Sequence, residues 1–138
     1  HHYPEREMVV AGFGTATTFC AIGADKTYFG GVILPGMRIS LEALVTRAAK
    51  LSSVEIGAVE HVIGRSTAES MQSGLYYGQI GMAREIISRM RSEAFRGRQP
   101  LVVGTGEFAG LYESAGLLDV IRPNLVLEGL LLAHSMNS

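Results

Sequence analysis

The sequence predicts an α/β fold, a mixed sheet flanked by helices, and three observations carry it. Residues 8 to 33 read as successive strand-like apolar runs divided by short glycine-bearing breaks. Two stretches with apolar residues at helical spacing follow. A further β-rich run, LVV (101–103), then stands before a final amphipathic stretch. Strands and helices alternating in this way call for a layered α/β architecture.

The elements follow in order. MVVAGF (8–13) and TATTFCAI (15–22) are strand-like, Gly23-Ala24-Asp25-Lys26 is a turn, and TYFGGVIL (27–34) is a third strand, giving three antiparallel strands in succession. Pro35-Gly36 breaks the chain. ISLEALVTRAAKL (39–51) places Leu41, Leu44, Val45 and Ala48 on one helical face behind Ser40 as N-cap. His61-Val62-Ile63-Gly64 reads as a short strand or the start of a loop. Ser66-Thr67-Ala68-Glu69 is a capping box that opens a long helix expected to reach about Phe95. That helix contains Gly74, Gly78 and Gly81, each close to ~1 kcal/mol less favourable than alanine. They share a face, so another backbone is expected there, from a neighbouring helix or a second subunit. After 96–99, LVV ends at Gly104-Thr105-Gly106, a short helix begins near Glu107, and Pro123-Asn124 precede a last helix, Leu125–Met136.

Composition narrows the function classes. A chain of 138 residues, 47% apolar and 18% charged, fits one globular domain, and no repeat or low-complexity linker divides it. A net charge of −1 supplies no basic footprint for nucleic acid or an anionic membrane. The lone Cys20 permits no intramolecular disulfide and no CxxC site, which suits a reducing cytoplasm. The longest apolar stretch, LVLEGLLLA, is too short to span a bilayer. His1-His2 reads as the remnant of a purification tag, and the chain as a piece of something longer.

Three places offer chemistry. In GFGTATTF (12–19), a glycine turn between strands lets backbone N–H groups approach phosphate oxygens, with the Thr15 hydroxyl as a further donor; the same threonines also serve simply as strand formers. Gly104-Thr105-Gly106 stands at a strand-to-helix junction, suited to a nucleotide or merely to a flexible turn. Thr67, at a helix N-terminus beside Ser66, can receive a carboxylate or act only as part of a cap. His61 and His134 lack partners at metal-ligand spacing, and Cys20 reads as a small core residue. Met71, Met82 and Met90 read as core or interface filler.

Taken together, GFGTATTF (12–19), YFGGVILPG (28–36), SLEAL with AAKL (40–51), IGRSTAESMQSGLYYG (63–78), VVGTGE (102–107) and NLVLEGL (124–130) resemble the type III pantothenate kinase family. The strings cover nearly the whole chain in the family's order. The resemblance implies a ribonuclease-H-like domain of the actin-like ATPase and acetate-sugar kinase superfamily. It also implies an ATP-dependent phosphorylation of pantothenate in the cytoplasm, the first step of coenzyme A biosynthesis, by a homodimer whose active site lies at the interface. Residues 1–138 would form the C-terminal of two domains, the N-terminal domain being absent from this chain. Gly14 and Thr15 would form the second phosphate loop, Gly104, Thr105 and Gly106 the nucleoside-side turn, and Thr67 the pantothenate contact. Mg²⁺ would travel with ATP.

Departures from the pattern matter as much. Gly12 occupies the place of an aspartate that helps hold K⁺ or NH₄⁺ in the family, Cys20 replaces another usual acid, and Glu107 replaces a glycine. The family's aspartate-glycine loop and its Gly-Ala-Asp-Arg motif, which brings the general-base aspartate, belong upstream of this region. Gly23-Ala24-Asp25-Lys26 imitates that motif only as a hairpin turn. The chain alone is therefore expected to be inactive, with no catalytic or metal-binding residue of its own. Two rivals stand beside this reading: a non-catalytic nucleotide-binding regulator of the same fold, and a dimerisation domain built on the Gly74, Gly78 and Gly81 face.

Overall fold

The computed structural model describes residues 1–48 and 51–138. Its elements are β1 (Met8–Phe13), β2 (Ala16–Ile22), β3 (Tyr28–Pro35), α1 (Met37–Arg47), α2 (Thr67–Phe95), β4 (Leu101–Thr105), a 3-10 helix (Ala109–Ala115), β5 (Val120–Ile121) and α3 (Leu125–Met136). The strands form one mixed sheet in the order β3-β2-β1-β4-β5. β1 pairs antiparallel with β2 and β2 with β3, while β4 runs parallel to both β1 and β5.

Alternation decides which face of the sheet is buried. Val9, Ala11 and Phe13 of β1, with Thr17, Phe19 and Ala21 of β2, point into the core, whereas Val10, Gly12, Thr18 and Cys20 lie half-buried on the opposite face. α2 covers the first face with Tyr76, Ile80, Ala83 and Ile87, and Phe13 stacks on Tyr112 at a centroid distance of 3.8 Å. Burial of that phenol raises the Tyr112 pKa far above its ordinary value.

The three-strand opening and the Gly23 turn stand as expected. Gly23 N–H donates to Thr27 O at 2.8 Å, and Asp25 Oδ1 accepts from Thr27 N–H at 3.0 Å. The β2–β3 ladder carries an irregularity: its register shifts between Ala21 and Ile22, opposite a stretch in which Gly30 has φ +124°. The capping box is present in relayed form. Ser66 Oγ accepts from Glu69 N–H at 3.1 Å, and the Glu69 carboxylate accepts from Arg65 N–H at 2.7 Å.

Three expectations are corrected, and two that stood open are narrowed. α1 starts one turn earlier than Ser40, with Gly36 as N-cap, because Met37 extends the apolar face of Leu41 backward and Pro35 ends the strand. Expected to run to Leu51, that helix ends at Arg47, and Ala49 and Lys50 lie outside the described residues. His61-Val62-Ile63-Gly64 is loop, while β5 adds a strand too short to show in the sequence. β4 runs on through Gly104 and Thr105, since Gly104 and Thr105 continue the parallel pairing with Ala11 and Gly12. Cys20 is half-buried on the face away from the core, because its neighbours Phe19 and Ala21 take the inward positions. Finally, a Cβ on Gly74, Gly78 or Gly81 would meet no described atom within 4 Å, so none of the described helices explains them by close approach.

Candidate functional site

The strand directions gather three turns at one end of the sheet, outside the carboxyl ends of β1, β3 and β4, where open α/β sheets place ligands. The first is Gly14-Thr15 between β1 and β2. The second is Pro35-Gly36, leading into α1. The third is 106–108, after β4. Their contact is close: a Cβ on Gly36 would lie 2.4 Å from Thr15 O and 2.7 Å from Gly14 O. Gly106, with φ +96°, would place a Cβ 2.7 Å from Phe13 O, and Phe108 N–H donates to that same oxygen at 2.9 Å. Only glycine satisfies both the backbone approach and the left-handed conformation at Gly106.

Thr15 stands exposed at the tip of the first turn. The Gly14 N–H is already used, donating to Ala16 O at 3.2 Å, so the donors this loop presents come from Thr15 and not from the glycine. The N-terminus of α1 opens beside it, with no side-chain cap and no acidic residue in its first turn. Its free N–H groups and dipole favour an anion. Arg38 adds a guanidinium there, paired with a carboxylate: its Nη2 donates to Glu107 Oε1 at 2.8 Å, and its Cζ lies 5.4 Å from the centre of the Phe108 ring. Neither Arg38 nor the Gly36 cap emerged from the sequence. The signal that locates them is Met37, spaced four residues before Leu41.

Gly104 and Thr105, assigned with Gly106 to the nucleoside side, occupy the strand interior. A Cβ on Gly104 would meet Leu118 Cδ1 at 2.6 Å, and the buried Thr105 hydroxyl donates to Pro123 O at 3.3 Å. Of the three, Gly106 alone forms the turn. Gly12 lies beside them, paired with Thr105 and Thr18. A Cβ on Gly12 would lie 2.8 Å from Thr18 Oγ1, so that hydroxyl occupies the space through which a longer side chain would leave the strand.

Thr67 belongs to a different region. It is exposed at the first turn of α2 and lines a groove of about 850 Å³ between α1 and α2, with Ile39, Leu44, Met71 and Leu75 among its walls. A second cleft, of about 1010 Å³, lies across the same helix start and is lined by His61, Arg65, Glu69 and Tyr77. Neither cleft includes Thr15. His61 and His134 are exposed, and among the described residues no three His, Cys, Asp or Glu side chains gather closely enough to hold a metal ion. No described helix is long and apolar enough to cross a membrane.

Known proteins resemble this chain in sequence and in fold. The family model described as type III pantothenate kinase matches residues 1–89. Over 138 residues the chain is 53% identical to a type III pantothenate kinase of Legionella pneumophila strain Paris, an alignment covering 100% of this chain and 54% of that protein. Over 135 residues it is 44% identical to type III pantothenate kinase 1 of Francisella tularensis subsp. holarctica strain OSU18, covering 98% of this chain and 53% of the relative. The chain thus spans about half the length of the curated relatives it matches. A solved structure described as a conserved Baf family transcriptional activator from Campylobacter jejuni shares the fold, with a TM-score of 0.63 and 17% identity over 96% of this chain and 59% of that one.

Proposed function

The chain belongs to the type III pantothenate kinase family, and from that premise we propose that it supplies the C-terminal of two domains to a cytoplasmic enzyme transferring the γ-phosphoryl group of ATP to a pantothenate hydroxyl. That reaction opens coenzyme A biosynthesis. The observation that carries the reading is the convergence of Gly14-Thr15, Gly36 and Gly106 at one end of the sheet. A polyphosphate can meet Thr15 and the uncapped start of α1 there, while Gly106 borders the nucleoside. Thr67 receives the pantothenate carboxylate. Since the clefts beside Thr67 do not reach Thr15, the two substrates are brought together by the other domain and by a second subunit, in a homodimer.

Phosphoryl transfer depends on positioning, on neutralising charge and on a base that orients the hydroxyl. The described residues contribute to the first two, through Thr15, the α1 N-terminus and Arg38. The base comes from the other domain, so the 138-residue chain alone does not turn over. Mg²⁺ enters with the nucleotide, which suits a site end with no carboxylate cluster among the described residues. The monovalent cation does not fit: Gly12 offers no carboxylate, and Thr18 Oγ1 fills the space beside it.

The experiment is pantothenate-dependent ADP release by the full polypeptide that carries this chain, run in sodium, potassium and ammonium buffers, with Thr67→Ala beside the unaltered protein. Turnover that falls in the variant supports the kinase. Protein that binds ATP yet turns over in no buffer points instead to a non-catalytic regulator, the reading that Gly12 and Cys20 favour.

A further inference from the structure

Gln79 of α2 is a polar side chain in an apolar stripe. Leu75 and Ala83, one turn before and after it, are buried, and Gln79 itself is only 3% exposed. Both hydrogens of its amide are used: Nε2 donates to Pro35 O at 3.1 Å and to Ser40 Oγ at 3.3 Å. The orientation of the amide follows from the chemistry, because the Pro35 carbonyl can only accept. Its Oε1 then has no partner among the described residues. An unmet buried acceptor offsets what two such hydrogen bonds supply, so an apolar side chain of the same shape would serve folding equally well.

What the amide does supply is position. Its two acceptors flank Gly36: Pro35 stands immediately before it and Ser40 in the first turn of α1 after it, and Ser40 N–H donates to Gly36 O at 3.0 Å. Gly36 in turn bears on the phosphate-side loop, where its Cβ would lie 2.4 Å from Thr15 O. One chain of contacts thus runs from Gln79 through Pro35 and Gly36 to Thr15.

We propose that Gln79 is a positioning residue for ATP. It acts through the Pro35-Gly36 turn and not on the nucleotide, fixing where Thr15 presents its hydroxyl and where the first N–H groups of α1 point. The proposal rests on the reading of Thr15 as a phosphate contact. It assigns the placement of that contact to a side chain on another helix. Transmission is direct, since at Gly36 backbone meets backbone and no flexible side chain intervenes to absorb a shift. Phosphoryl transfer depends above all on placement, and a displacement of ~1 Å arising away from the reacting atoms can lower the rate about a hundredfold.

The test uses the full polypeptide that carries this chain, with thermal melts and steady-state kinetics for each substrate. The proteins compared are the unaltered one, Gln79→Met, Ser40→Ala and the two changes combined. Methionine keeps the length of glutamine and removes its donors. The expected result for Gln79→Met is a rise of about tenfold in KM for ATP, with KM for pantothenate held within about twofold and Tm within about 5 °C. Ser40→Ala removes one of the two acceptors and should raise KM for ATP by about threefold. Combined with Gln79→Met it should add nothing, because both changes break the same tie. Ser40 is half-buried, so its variant still reads the tie if methionine at position 79 prevents folding. An unchanged KM for ATP in the single variants overturns the proposal. So does a joint rise in both KM values with a lower Tm, which is the mark of a purely structural role. Absence of ADP release from the unaltered protein overturns the kinase reading, and this proposal with it.

Discussion

Gly36 packs so tightly on Thr15 that a methyl group at position 36 would lie 2.4 Å from the Thr15 carbonyl oxygen. The turn that starts α1 therefore sets the position of the turn that carries the candidate phosphate contact. Gly36→Ala must push these turns apart, since the atoms it meets are backbone. The expected stability loss is about 1–3 kcal/mol, the usual range for overpacking, with weakened binding of a fluorescent ATP analogue. Gly129→Ala is the control. It lies in exposed α3 with nothing within 4 Å and is expected to gain up to ~1 kcal/mol of helix propensity. Thermal melts of the two variants should move in opposite directions, and a neutral Gly36→Ala would break the proposed link between the turns.

Gly12 sets a second test. Restoring a carboxylate with Gly12→Asp brings its Cβ against Thr18 Oγ1, 2.8 Å away in the present backbone. Thr18→Ala removes the obstacle. The single variant is expected to lose stability by about 1–3 kcal/mol, and the double variant to recover most of that loss. ADP release by the full polypeptide carrying both changes should become faster in potassium than in sodium. Equal rates in the two buffers would show that a carboxylate at this position is not sufficient to hold the cation.

How much of this was legible beforehand depended on the range of the interaction involved. The β2–β3 hairpin and the start of α2 were readable because Asp25 with Thr27, and Ser66 with Glu69, make their bonds within a few residues. The start of α1 was misplaced because Ser40 is a good cap by itself. Gly36 prevails through contact with Thr15, about twenty residues away in sequence. The pairing of Gly104 and Thr105 with β1 is equally nonlocal, so the strand was expected to end too early. Gln79 gave no signal at all: its environment is made by Pro35 and Ser40, both distant in sequence. Thr15, Thr67 and Gly106 were named through family resemblance, and local spacing alone left each with a structural alternative.

Asp25 offers a pH test that does not depend on function. The Thr27 N–H it accepts in the hairpin turn holds its carboxyl below the ordinary aspartate range. A carboxyl with a lowered folded-state pKa contributes stability that is fully present above its unfolded value, about pH 4. That contribution disappears as pH falls through the folded value. Asp25→Asn should therefore narrow the difference in melting temperature between pH 6 and pH 3. The contribution will be small, since the group is exposed. An unchanged difference would mean that the turn bond does not persist in solution.

α3 separates packing from propensity. It is rich in leucine, yet none of its residues is buried, and Leu127, Leu130 and Leu131 are 60–71% exposed. Apolar side chains in water contribute little to folding, so Leu131→Lys should change the stability of the chain by no more than about 0.5 kcal/mol. Ile87, 1% exposed in the core facing the sheet, provides the contrast, and Ile87→Ala should lose about 2–5 kcal/mol. Urea unfolding of both variants measures the difference. If α3 packs on a second domain in the full polypeptide, Leu131→Lys will destabilise that longer protein while leaving the 138-residue chain unaffected. Equal effects in the two would mean that α3 meets the same surroundings in both, and the proposal of a second domain resting on it would fall.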